Sequence, residues 1–457
     1  MAGEVCVVGG GPAGLMLGLL LARQGIEVVV LEKHEDFLRD FRGDTIHPST
    51  LNLLDELGLG EKIEALPGRK QARMSVTFAD GTYPVADFTR LPKPRNYLLF
   101  LPQWDFLDLL ADEASRLPAF RLLRSTEAVD LLRDESGAVT GVLATGPDGE
   151  PVRITAPLTV ACDGRDSVIR EKAGLVPVEY GAPMDVLWFR LSRPQADPDR
   201  LELRVGAGAL MILIDRREYY QCAYVIPKGG YDTVRAAGLD HLRESVARLA
   251  PPVAAQVGEL QDWDQIKLLT VRVNQLPVWH APGVLCIGDA AHAMSPVGGV
   301  GVNLAVQDAV ATARLLGPKI KAGALRTEDL DLVRERRSLP TRATQRFQRL
   351  AQQRVVGTVL RSDAPPTAPA VIKLLQRLPA LQALPARAMG IGLRPEHLTC
   401  PTHPHPAPRA RLQDRVDLAR SVRDMPDWGV SSPQFTQDRR TWRARGGAAR
   451  GGAAWGG

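Results

Sequence analysis

The chain has 457 residues, 45% of them hydrophobic, which suits two or three domains at a typical size of roughly 100–200 residues each. Its net charge of +5 belongs to one end: Pro401–Gly457 holds ten Arg, no Lys, five Asp and no Glu, while the remaining 400 residues balance 47 basic against 47 acidic side chains. No basic face for nucleic acid is therefore expected on the body, and no apolar run approaches the ~18 residues of a membrane span.

The start MAGEVCVVGG lacks the basic leader of a signal peptide, and the five cysteines are widely spaced with no CxxC pair. A cytoplasmic protein is expected, with no disulfide framework, metal, membrane or nucleic-acid partner. Nothing in the sequence specifies an oligomeric state.

In chain order, Glu4–Val8 reads as a strand, Ala13–Gln24 as a helix and Glu27–Leu31 as a second strand. This is the βαβ unit of a parallel sheet. Between strand and helix, VVGGGPAG places Gly9, Gly11 and Gly14 in GxGxxG spacing, with Pro12 and Ala13 opening the helix. The first glycine permits the tight turn, the second lets backbone approach a pyrophosphate, and the third allows close helix–strand packing. The helix N-terminus then faces the phosphates. Glu32, ending the second strand, can accept from both ribose hydroxyls and would repel a 2′-phosphate, so FAD or NAD is expected rather than NADP.

Ser49–Leu59 reads as a capped amphipathic helix closing at Gly58, and Gln103–Ser115 as another. Between Met74 and Arg95, and again over about 176–269, shorter alternating runs suggest antiparallel strands of a second domain inserted into the first. In TVACDGRDSVIREKAGL a strand ends at Asp163-Gly164, where the carboxylate reads equally as a helix cap or a ligand group.

The densest signal is VLCIGDAAHAMSPVGGVGVNLAVQDA, residues 284–309. Gly288-Asp289 ends a strand, and Pro296, Gly298, Gly299 and Gly301 keep side chains out of a loop that enters a helix at about Val302. A carboxylate there can accept from sugar-alcohol hydroxyls, and bare backbone at a helix start can lie against a flat ring and stabilise negative charge on it. From Ala305 to about Gly390 the pattern is helical. The Pro-, Arg-, Gly- and Ala-rich end after that reads as disordered. Its Arg/Gly content could bind RNA, although a passive extension is the simpler reading.

Together GGGPAG, CDGRDSVIR and GDAAHAMSPVGGVGVNLAVQDA resemble the class A FAD-dependent aromatic hydroxylases, over about residues 4–395. The resemblance implies an α/β fold: a Rossmann-type FAD-binding domain (1–73, 97–175 and 271–320), an inserted antiparallel-sheet substrate domain (74–96 and 176–270), C-terminal helices (321–398) and a tail (399–457). It implies that Asp289 holds the ribityl chain and that Pro296, Gly299, Gly301, Val302 and Asn303 lie beside the isoalloxazine. It also implies that Asp163 serves nucleotide binding, that Arg42 lies near the pyrophosphate, and that Gln103 contacts the ribityl-phosphate region.

The implied chemistry is reduction of FAD by NADH or NADPH, capture of O₂ as a flavin C4a-hydroperoxide, and oxygen transfer to a small aromatic or polyketide-like substrate. No side-chain nucleophile is required. GAGAL at Gly206 and GIGL at Gly390 lack the spacing of a second dinucleotide unit, in keeping with a family whose NAD(P)H binds transiently. The alternative is a flavin-dependent epoxidase or another FAD oxidoreductase of the same fold. A halogenase would carry a WxWxIP segment where this chain has YYQCAYVIPKGG. His292 reads as structural, and His47 as a surface or capping residue that could also line the site. The substrate pocket is expected around Leu187–Leu191, Leu210–Ile214 and Gln221–Val225.

Overall fold

Strands Val5–Val8, Val28–Leu31, Leu158–Ala161 and Val284–Cys286 are buried along their whole length. Such continuous apolar runs arise when both faces of a parallel sheet are covered. They form a six-stranded sheet in the order His280–Ala281, Val284–Cys286, Leu158–Ala161, Val5–Val8, Val28–Leu31, Phe120–Leu123, parallel except for the short first strand. Helix Pro12–Arg23 packs beside helices Gln103–Ser115 and Gly301–Lys321, and a three-stranded antiparallel sheet of Glu127–Arg133, Val139–Thr145 and Pro151–Thr155 also packs on the sheet. The protein is seen in a computed structural model that describes residues 1–38, 45–194, 201–362 and 364–398. Arg42 and the tail after Leu398 lie outside the described residues.

The helix expected over Ser49–Leu59 runs Pro48–Glu56, and the chain turns at Gly58 with φ +72° before a further short helix at Gly60–Ala65. A second, seven-stranded sheet runs in the order Lys267–Leu269, Met184–Ser192, Tyr219–Pro227, Ala209–Asp215, Leu201–Gly206, Arg73–Phe78, Gly81–Asp87. It departs from the all-antiparallel expectation at one pair, because Leu201–Gly206 runs parallel to Arg73–Phe78. Those two strands are far apart in the chain, so no hairpin fixes their relative direction.

Side chains along this sheet alternate between its faces. Leu187, Phe189, Leu191, Met211, Leu213 and Cys222 form a core with helix Leu239–Leu249. Trp188 and Ile212 pack instead with Phe88, Phe100 and Met389. Only half of the residues expected in the pocket are therefore on the side facing the rest of the molecule. Helices Asp331–Ala351, Ala370–Arg377 and Ala383–Gly390 follow. Among the described residues no helix is long and apolar enough to cross a membrane.

Candidate functional site

Four neighbouring parallel strands end at the same edge, and each ends in one of the motifs. After Val8 come the glycines. Gly9 has φ +106°, donates to the Leu31 carbonyl at 2.8 Å, and would press a methyl group to 2.5 Å from the Cys162 carbonyl oxygen. A methyl group on Gly14 would lie 1.9 Å from the Gly9 carbonyl oxygen, which is why helix and strand can pack this closely only with glycine. One on Gly11 would meet nothing within 4 Å. Gly11 is also the N-cap of helix Pro12–Arg23 and has no side chain to cap it, leaving open space before unpaired N–H groups. Ala13 is buried in the first turn.

After Leu31 comes Glu32, only 7% exposed. Its two oxygens accept from Gly10 N at 3.1 Å and His34 N at 3.0 Å.

After Ala161 comes Asp163, whose carboxylate is engaged within its own turn by the Ser167 hydroxyl and by Ile169 N at 3.1 Å. Burial pushes its pKa up against those bonds. Arg170 joins this turn to the next, donating to the Ala290 carbonyl at 3.1 Å and the Arg165 carbonyl at 2.9 Å.

After Ile287 comes Gly288, at φ +60°. Its N–H donates to Asp308 Oδ2 at 3.1 Å, so Asp289 turns outward, partly exposed and 3.8 Å from the Arg165 guanidinium. Asp308 is fully buried. Burial works to raise its pKa, but His292 Nε2 at 2.6 Å and Arg337 Nε at 2.9 Å hold the carboxyl below its usual range. Arg337 also lies 3.5 Å from Glu396, which receives Arg336 at 2.6 Å and Arg314 at 2.9 Å. His292 therefore serves this buried network, as the structural reading expected.

The loop Pro296–Gly299 has Gly298 at φ +81° and Gly299 at φ +60°, and a methyl group on Gly299 would come within 3.0 Å of the Thr45 hydroxyl. Beyond it begins the 21-residue helix Gly301–Lys321, with no side-chain cap, so its first N–H groups and the positive end of its dipole are open. Nothing lies within 4 Å of where a Gly301 methyl would be, and the Val302 side chain is buried. Asn303 uses its whole side chain within the protein. Its Oδ1 accepts from His47 N at 2.8 Å and the Thr50 hydroxyl at 2.7 Å, and its Nδ2 donates to Thr45 O at 3.1 Å and Gly299 O at 3.3 Å. Only its backbone is left for a ligand.

His47 is not a surface residue. It is 1% exposed, its Nδ1–H donates to the Met389 carbonyl at 2.8 Å, and burial holds its pKa down at about 4, so the ring is neutral. Gln103 opens its helix half-buried, beside an N-cap proline that cannot cap it. Gln345, Gln348 and Gln352, which line the back of the loop, were not singled out from sequence. Their three- and four-residue spacing in TQRFQRLAQQ is the signal that was available.

Bare-backbone glycines, a buried glutamate, an outward aspartate and an uncapped helix start thus line the carboxyl ends of adjacent strands, where open α/β sheets bind dinucleotides. With open space over Gly11 and Gly301, these residues fit FAD. The fold and site define an FAD-binding flavoprotein. The chain belongs to the FAD binding domain family, whose profile matches residues 2–347.

Among its relatives, the 6-methylpretetramide 4-monooxygenase of Streptomyces rimosus is 34% identical over 385 residues, covering 83% of this chain and 90% of that protein. The 12-dehydrotetracycline 5-monooxygenase/anhydrotetracycline 6-monooxygenase of Streptomyces rimosus subsp. rimosus is 30% identical over 342 residues, covering 72% of this chain and 65% of that one. The p-nitrophenol 4-monooxygenase PnpA of Pseudomonas putida shares the fold, with a TM-score of 0.66 at 22% identity over 85% of this chain and 96% of its own. The protein is a class A FAD-dependent monooxygenase that uses NAD(P)H as reductant.

Proposed function

We propose that this monooxygenase hydroxylates a polycyclic aromatic substrate of polyketide type. The observation that carries the reading is the uncapped start of helix Gly301–Lys321 behind Pro296–Gly299, a loop whose Val297 packs in the cluster of Val76, Met184, Leu210 and Val225 from the seven-stranded sheet. The relatives that act on 6-methylpretetramide and anhydrotetracycline support the substrate class. Trp188 adds to it, because its indole N–H is buried without a partner and suits a carbonyl or phenol oxygen on a flat ring system.

Bound FAD would supply the redox chemistry, accepting hydride from NAD(P)H and activating O₂. The chain's part is to bind, orient and exclude water. Gly9, Gly11, Pro12, Ala13 and Gly14 present backbone to the pyrophosphate, and Glu32 accepts from the ribose. Asp289 accepts from the ribityl hydroxyls, with Gly288 setting its direction, and the backbone of Pro296, Gly299, Gly301, Val302 and Asn303 faces the ring. Asp163 acts by holding its turn, and Arg42 and Gln103 serve the pyrophosphate and ribityl-phosphate regions. Residues 1–73, 97–175 and 271–320 form the FAD-binding lobe, 74–96 and 176–270 the substrate lobe, and 321–398 the C-terminal helices.

The test is to purify the protein, identify the released chromophore, and measure NAD(P)H oxidation with simple phenols and with phenolic naphthacenes under labelled O₂. A naphthacene product carrying one labelled oxygen is expected. Oxidation stimulated by simple phenols alone would overturn the substrate class, and an epoxide product would favour the epoxidase alternative.

A further inference from the structure

The loop assigned to the flavin ring is held from behind by the helix two elements later in the chain. Gln345 and Gln348 on Asp331–Ala351, with Gln352 just beyond it, are spaced three and four residues apart and so share one helix face. They are 3%, 2% and 1% exposed. Gln345 Nε2 donates to Asn274 O at 2.8 Å and Ala293 O at 3.1 Å, and Gln348 Nε2 donates to Ser295 O at 3.0 Å and Val297 O at 2.7 Å. Gln352 Nε2 donates to the Ser295 hydroxyl, which also accepts from Val297 N at 3.2 Å.

Core packing alone does not account for this ladder. The side-chain oxygens of Gln348 and Gln352 are buried without partners, a cost that Leu or Met at the same positions would avoid. What the amides provide is direction. A peptide unit is planar with C=O and N–H opposed, so fixing the Val297 carbonyl toward Gln348 aims the Gly298 N–H the other way. The two glycines that follow have positive φ and little intrinsic stiffness, so this is where the backbone could otherwise swing. A carbonyl swung toward a ring that gains negative charge on reduction would oppose that charge, whereas an N–H stabilises it.

We propose that Gln345, Gln348 and Gln352 are positioning residues that hold the 293–297 backbone so that the loop presents N–H groups, Gly298's first, rather than carbonyls to the flavin. This rests on the assignment of the Pro296–Asn303 loop to the ring.

The test compares holoenzymes of the parent, Gln348→Met and Gln353→Met, the last an exposed control on the adjoining turn. Gln348→Met is expected to lower the flavin midpoint potential, shift its visible spectrum and raise peroxide released per NAD(P)H several-fold, with Gln353→Met matching the parent. Parent-like values for Gln348→Met, or equal changes in the control, would overturn the proposal. If Gln348→Met does not fold, Gln352→Met, which loses a single donor to Ser295, is read in the same way. Gly299→Ala separates the two levels of the argument. A parent-like spectrum in that variant sinks the loop assignment itself, while a shifted spectrum with a silent Gln348→Met sinks only the ladder.

Discussion

At the residue scale, the aspartate and histidine nearest the site behave in opposite ways because their surroundings differ. Asp289 is partly exposed, with the Arg165 guanidinium 3.8 Å away. On the proposed ribityl contact, its replacement by Ala removes one or two charge-assisted hydrogen bonds of roughly 1.5–3 kcal/mol each, so FAD affinity of the apoprotein should fall about tenfold or more. Titration of apoprotein with FAD checks this, and an unchanged affinity would remove Asp289 from the site.

His47 is sealed, and burial is the larger influence on it, outweighing the nearby Met389 and Gly298 carbonyls that favour its charged form. With a folded pKa of about 4 against an unfolded value of 6.5, the unfolded chain binds the extra proton first. The stability His47 contributes is therefore present above pH 6.5 and is lost as pH falls toward 4, by about 3 kcal/mol in all. Urea unfolding at pH 7.5 and pH 5 should show a smaller loss in His47→Gln than in the parent.

At the element scale, helix Gly301–Lys321 is the part on which the others converge. Its start is tied to Thr45–Thr50 by Asn303, and its third turn is tied to Asp331–Ala351 and to Glu396 by Asp308 and Arg337. Arg337→Met would leave the Asp308 and Glu396 carboxylates buried with fewer partners, a change that typically costs about 3–5 kcal/mol. Equilibrium unfolding should show that loss, with part of it recovered when Asp308→Asn is added. Full additivity would mean that the two side chains do not act as a pair. The same network reaches the Gly288 N–H, so the Arg337→Met protein should also bind FAD more weakly.

At the scale of the whole molecule, the C-terminal segment is part of the fold up to its last described residues. Glu396 sits 2% exposed among three arginines, and Leu398 N donates to Glu56 at 2.7 Å. Truncation after Leu398 should leave FAD binding and melting temperature near the parent's. Truncation after Leu393 should lower both, and equal behaviour of the two would show that Glu396 is not needed.

The glycine turns, Glu32, the Gly288-Asp289 strand end and the bare loop before Gly301 were legible in the sequence. Positive-φ glycines, continuous apolar strands and helix starts are set by residues within a few positions of one another. The parallel pairing of Arg73–Phe78, the burial of His47, the internal use of the Asn303 side chain, and the glutamine ladder were not. The carbonyls and carboxylates that decide them come from distant parts of the chain, as with Asn303, 256 residues from the His47 N–H it accepts. The sequence by itself determined that this chain bares its backbone at strand ends and helix starts, in the pattern of an FAD-binding family. Only the tertiary structure decided which side chains are free to meet them, because burial and long-range hydrogen bonds exist only once the strands and helices have packed.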